Sequence, residues 1–221
     1  MSNVKLAELA QQLESSNQRD RMVALAQLRD VEPESAVPLI KKVLYDESLQ
    51  IRSMAVFALG LKPTAESFSL LLEFLEDDDY GIRADAAGAF GYLQDPRAFE
   101  PLVRLFYEDT HWLVRFSAAV SLGNLQNPEA KAVLQQALNS EEVVLQQAAI
   151  AALGEIKSSD SLDRMLRFVQ SEDWIVRQRL AEALGNLPAE EQSISALNYL
   201  QKDSHPQVSQ AAALSLEKLN T

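Results

Sequence analysis

Apolar residues along this chain recur with the period of a helix, and nowhere do they alternate with the period of two that marks a strand. Val4, Leu6, Ala7, Leu9, Ala10 and Leu13 predict a first helix within Met1–Ser15. Asn17 or Asp20 then opens a second, carrying Val23, Ala24, Leu25 and Leu28. The pattern is clearest in Asp109–Leu125, a stretch that recurs up and down the chain. Arg52, Arg83, Arg115 and Arg177 share one column, with Gln146 between the last two, at steps of 31, 32, 31 and 31 residues. Gly60, Gly91, Gly123, Gly154 and Gly185 hold a second column at the same steps. Before each column arginine stands a branched apolar residue, Ile51, Ile82, Val114 or Val176, with Leu145 before Gln146. A period near 31 predicts an array of helical repeats, each burying its apolar face against its neighbours.

Each unit predicts helix, turn, helix. In the third, Asp77–Asp79 caps a helix running to about Phe90, since carboxylates meet the free N–H groups and the dipole of a helix start. Gly91 is placed where a left-handed residue would end that helix. A turn with Asp95 and Pro96 follows, and Phe99, Leu102, Val103, Leu105 and Phe106 predict the second helix. Pro63, Pro96, Pro128 and Pro188 all fall in this turn. Pro38 and Pro101 require their helices to begin late. Paired alanines (Ala55 and Ala58, Ala86 and Ala89, Ala118 and Ala119, Ala148 and Ala149) mark close helix approach. The ends depart from the pattern: Arg29 stands in the glycine column, and Ser209 and Glu217 replace arginine and glycine in the last unit. Residues 1–30 and 203–221 are therefore predicted to be capping repeats of one domain spanning 1–221.

The 221 residues contain no cysteine, which excludes a disulfide framework and a cysteine nucleophile. A net charge of −12 argues against binding nucleic acid or an anionic membrane surface. No apolar run approaches the ~18 residues of a membrane span, and the start lacks a signal-peptide core. A cytoplasmic protein without membrane insertion is expected.

Two columns carry candidate chemistry. Asp46, Asp77 and Asp109 each precede a column arginine by six residues. They predict either a structural ladder of ion pairs or a row of cations awaiting carboxylates. Because Ser140 and Ser171 interrupt the acidic positions, Arg177 is expected to be the arginine without its standard partner. Tyr80, Trp112 and Trp174 each stand three residues before a column arginine, beside it on the helix surface. They predict either a cover for the adjacent helix with a cation–π contact, or a ring edge that binds a partner or chromophore. His111 and His205 occupy equivalent turns, too far apart for one metal site, and are expected to be solvated. Of the two, His111 beside Trp112 and Arg115 is the candidate proton donor. The run Glu76–Asp79 lacks the alternation of a calcium loop, and no nucleophile-and-base system is visible.

The unit Asp-x-x-x-x-Val-Arg-x-x-Ala-Ala-x-x-Leu-Gly-x-Leu, followed by a turn with proline and a second helix, resembles HEAT-like repeats of the phycobilisome-lyase type. The match covers about residues 17–219 and is clearest in 77–106, 109–138 and 173–200. Gln146 and Ser209 depart from its arginine. This resemblance implies an all-α fold, a right-handed α-solenoid of about seven helix pairs. It implies phycobiliproteins or the phycobilisome as partner and a bilin such as phycocyanobilin as ligand, with no tightly bound cofactor and no metal. The activity it implies is lyase-like attachment or detachment of bilin, most like a factor of phycobilisome degradation under nutrient starvation. Related repeats form a di-iron hydroxylase, but that enzyme needs His-Glu pairs, and this chain has none. The expected site is Tyr80, Arg83, His111, Trp112 and Arg115, with Trp174 and Arg177 toward a protein partner. An adaptor without a small ligand is the alternative.

Overall fold

A computed structural model describes residues 3–220; Met1, Ser2 and Thr221, which the expected caps include, lie outside the described residues. Fourteen α-helices and no strand are found among the described residues, as the periodicity predicts. The helices fall into two compact units, Met1–Pro101 and Leu102–Thr221.

The first unit holds α1 (Asn3–Gln12), α2 (Gln18–Gln27), α3 (Pro33–Ile40), α4 (Leu49–Gly60), α5 (Ala65–Phe74) and α6 (Tyr80–Leu93). The boundary falls near the start of α7 (Phe99–Glu108). The second unit continues with α8 (Trp112–Asn124), α9 (Lys131–Ala137), α10 (Val143–Glu155), α11 (Leu162–Leu166), α12 (Trp174–Leu184), α13 (Glu191–Leu200) and α14 (Pro206–Leu219). Within each unit the first helices of successive repeats stack in series: α2, α4 and α6 in one, and α8, α10, α12 and α14 in the other. The second helices pack on that series: α3 on α4, α5 on α4 and α6, α9 on α10, α11 on α12, and α13 on α12 and α14. Ile51, Ile82, Val114, Leu145, Val176 and Val208, each preceding the arginine column, are all buried, because that position faces the paired helix. No helix of the described residues is long and apolar enough to cross a membrane.

Asn17 opens α2 by accepting the Arg19 N–H, and Asp79 opens α6 by accepting those of Gly81 and Ile82. The glycine column works differently from its expected role as a helix terminator. Among the described residues no glycine has a positive φ; the left-handed residues are Gln94, Gln126 and Lys157, at 52–53°. Gly123 and Gly154 lie inside α8 and α10, Gly60 is the last residue of α4 and Gly185 the C-cap of α12, and at each another repeat presses on the glycine. A Cβ on Gly60 would stand 2.6 Å from the Ala89 carbonyl oxygen, and one on Gly123 2.7 Å from the Ala152 Cβ. Gly154 meets Ala183 and Gly185 meets Ser215 in the same way. Pro38 also departs from expectation: α3 begins at Pro33, so Pro38 lies inside it.

Candidate functional site

The arginine column is tied first to its own turn. Arg21 Nη1 donates to the Ser15 carbonyl at 2.9 Å, Arg52 to Asp46 at 3.1 Å, Arg83 to Asp77 at 2.8 Å and Arg177 to Ser171 at 2.6 Å. Gln146 keeps the contact, donating to the Ser140 carbonyl at 2.7 Å. The constant six-residue spacing thus records a bond to a backbone carbonyl. The side chain six residues ahead acts separately, accepting the N–H two residues on and so shaping the turn. Asp46, Asp77, Asp109 and Asp203 do so at 2.8–2.9 Å, and the hydroxyls of Ser15 and Ser140 at 3.1 Å. Either residue type makes this turn.

At Asp46 and Asp203 the aspartate also adds a charge, which serves the arginine of the preceding repeat. Arg21 grips Asp46 through Nε at 2.7 Å and Nη2 at 2.9 Å, with both side chains about nine-tenths buried. Arg177 grips Asp203 at 2.6 and 3.0 Å. Burial alone would raise the Asp46 carboxyl, but the hydrogen bonds from Arg21 and the Ser48 N–H and the nearby guanidinium charges hold it below the usual carboxylate range. The Arg177 hydrogen bond does the same for Asp203 against its burial. Arg177 is therefore fully partnered, contrary to expectation, since its carboxylate comes from 26 residues ahead. Ser171 instead stands 25 residues after Gln146, the spacing of Asp46 from Arg21, and Gln146 carries no charge to answer.

Arg115 meets a different carboxylate. Ser140 stands where Asp46 and Asp203 stand for the other two arginines, and Arg115 reaches past it to Glu142, one Nη2–Oε2 contact at 2.5 Å. Its Nε is buried with no hydrogen-bond partner. Expected pairing with an acidic residue at a helix start holds for Arg115, since Glu142 is the N-cap of α10. Arg52 and Arg83 engage their own turns through carbonyls.

Trp112, the first residue of α8, is 44% exposed. Its ring stacks on His111 at 5.9 Å, and Trp174 stacks on His205 at 4.0 Å with 10° between planes. The tryptophans thus lie against turn histidines rather than over the guanidinium three residues on, because Arg115 and Arg177 are drawn to carboxylates. Neither histidine is simply solvated. His111 caps α8, its Nδ1 accepting the Leu113 N–H at 3.2 Å, which leaves the imidazole proton on Nε2. His205 caps α14, and its Nδ1 is buried without a partner. His111, Trp112 and Arg115 are thus together at the start of α8, with Trp174 and Arg177 at the start of α12 in the same unit. Tyr80, 47% exposed, and Arg83 open α6 in the first unit.

Sequence reasoning missed Glu142, whose place two residues after Ser140 was the available signal. It also missed Lys62, buried with its ammonium on the carbonyls of Arg29 and Val31 at 2.7 and 2.5 Å. Lys62 stands in a column otherwise filled by Leu93, Leu125, Ile156 and Leu187. Among the described residues no cluster of side chains could hold a metal ion.

The family model for HEAT repeats matches residues 6–89, 68–146 and 132–217. Among solved structures, the complex of CpcE and CpcF of phycocyanin lyase from Nostoc sp. PCC7120 is similar over 97% of this chain and 93% of that one, with a TM-score of 0.64 and 20% identity. YibA of E. coli is similar over 100% and 93%, with a TM-score of 0.64 and 17% identity. These likenesses speak to the α-solenoid fold. No curated protein matches the chain.

Proposed function

We propose that this chain, which belongs to the HEAT repeat family, handles phycobiliproteins as a homologue of the phycocyanin lyase subunits. In this reading it engages a phycobiliprotein or the phycobilisome and holds the bilin, phycocyanobilin, during its detachment or during phycobilisome degradation under nutrient starvation. In this reading the chain is similar to the cyanobacterial non-bleaching protein B. The observation that carries the reading is Arg115: a guanidinium held to a carboxylate by a single contact with Glu142, with a buried, unpartnered Nε, close in the chain to an exposed tryptophan. A bilin offers propionates, which take charge-assisted hydrogen bonds from a guanidinium, and flat pyrroles, which lie on an indole face. His111, protonated on Nε2 beside the Trp112 ring, is the group able to share a proton with a pyrrole nitrogen or a lactam oxygen. Tyr80 and Arg83, and Trp174 and Arg177, are the further groups proposed for the bilin or its protein.

The test is to titrate the purified protein with phycocyanobilin and, separately, with intact phycocyanin, following the visible spectrum. A bilin shift that the folded double variant Trp112→Ala, Arg115→Ala loses, with its helical circular dichroism and melting curve kept, supports the site. A folded double variant that binds as well as the wild type removes it. An adaptor without a small ligand is the second reading, favoured by the exposed Phe57, Leu61 and Tyr92 in the first unit.

A further inference from the structure

On the surface of the first unit, α4 and α6 carry a groove separate from the arginine column. Asp85, Gly88 and Tyr92 follow one another along one face of α6, and Ser53, Phe57 and Leu61 along the facing side of α4. Two contacts cross between the helices. The Ser53 hydroxyl donates to the Asp85 carboxylate at 2.5 Å, and Phe57 meets Tyr92 edge to face at 5.3 Å. Gly88 lies between Asp85 and Tyr92, and a Cβ there would meet no heavy atom within 4 Å. A glycine inside a helix weakens it relative to alanine, so nothing in the packing of this unit calls for one at this position. Gly60, by contrast, has no room for a Cβ. Toward the start of α6, a cavity of about 420 Å³ opens on Asp85, with Leu49, Gln50, Asp79 and Gly81 in its wall.

The chemistry around this notch is specific. Phe57 and Tyr92 are 42% and 56% exposed, large apolar rings turned to solvent. Among the described residues no cation pairs with Asp85. Burial, and then the charge of Asp79, hold its carboxyl above the usual range against the Ser53 hydrogen bond. The groove therefore offers an uncompensated acid, a step without a side chain and two aromatic rings, in a chain of net charge −12.

We propose that this groove receives an arginine side chain of a partner protein, its guanidinium on Asp85 and its stem over Gly88 along Phe57 and Tyr92. Arginine suits it better than lysine because its planar fork meets a carboxylate with two bonds and stacks on aromatic faces. The site lies wholly in the first unit, so it stands or falls independently of the bilin titration.

The probe is N-acetyl-arginine amide, titrated into the isotope-labelled full chain and followed by amide NMR shifts. Shifts should centre on Ser53, Phe57, Asp85, Gly88 and Tyr92. Asp85→Asn should weaken them by about tenfold or more, through loss of the charged hydrogen bonds. The decisive variant is Gly88→Leu, which fills the notch, leaves the charge unchanged and has open space at its Cβ. It should melt no lower than wild type and lose the shifts. Wild-type titration in Gly88→Leu, shifts scattered over acidic surface residues, or N-acetyl-lysine amide binding equally would each overturn the proposal.

Discussion

Replacing Gly154 by alanine should destabilise the protein, whereas replacing Gly88 by alanine should stabilise it, although both glycines lie inside helices. At Gly154 the new Cβ would stand 2.7 Å from both the Cα and the Cβ of Ala183. Ordinary carbon contacts are about 3.5–4 Å, so something must shift. Overpacking of this kind costs about 1–3 kcal/mol, and alanine returns about 0.8–1 kcal/mol of helix propensity. The Ala183 Cα moves only with α12 itself, which places the cost in the upper part of that range. A net loss of about 1–2 kcal/mol follows, or a fall of about 2–8 °C in Tm for a chain of this size. At Gly88 the steric cost is absent and only the propensity gain remains, a rise of about 2–4 °C. Thermal melts by circular dichroism in one buffer, supported by urea titration, measure both. Changing Ala183 to glycine in the Gly154→Ala background should not restore stability fully, because the Ala183 Cα is itself at 2.7 Å. If both alanines raise the Tm, the glycine column is not a packing column, and successive repeats do not press on one another at these positions.

Four further expectations concern charged groups. Asp46→Ala strands the Arg21 guanidinium and should lower the midpoint of a urea titration. Because the Asp46 and Asp203 carboxyls are held low, their contribution is present above about pH 4 and is lost as pH falls through their folded values; acid melts of Asp46→Asn and wild type should converge there. Asp85 is shifted the other way, chiefly by burial, so its ionised form weighs against the fold at neutral pH. Asp85→Asn should melt higher at pH 7, with the advantage disappearing below about pH 4. Ser140→Asp gives Arg115 the carboxylate that the other repeats supply; it should add less than about 1 kcal/mol of stability and weaken the bilin titration, while Ser171→Asp, opposite Gln146, should do neither.

Much of the fold was legible because a helical repeat writes its period directly into the chain. The buried position before each arginine, the Asn17 cap and the helix pairs all follow from local spacing. What lay outside it were the contacts a residue makes with another repeat. A glycine every 31 residues is equally consistent with a helix end and with a tight crossing. Only the position of Ala89, Ala152 or Ala183 against it decides between the two. The tryptophans likewise stand beside arginines by spacing, yet stack on His111 and His205, since each guanidinium is drawn more strongly to a carboxylate.

The acidic residues show the same limit with a functional consequence. Six residues along the chain, Asp46 looks like the partner of Arg52, but its carboxylate belongs to Arg21 and only its carbonyl to Arg52. Shifting every pair by one repeat changes which cation is short of a charge. The serine at 171 then falls to Gln146, where neither side is charged and nothing is missing. The serine at 140 falls to Arg115, which takes its one carboxylate contact from Glu142 instead. The turn is not the cause, because the Ser140 hydroxyl still accepts the Glu142 N–H at 3.1 Å as the aspartates do. Serine at this position thus keeps the local structure whole and alters only what faces Arg115. Arg115, which faces serine where Arg21 and Arg177 meet aspartate, stands three residues from an exposed indole.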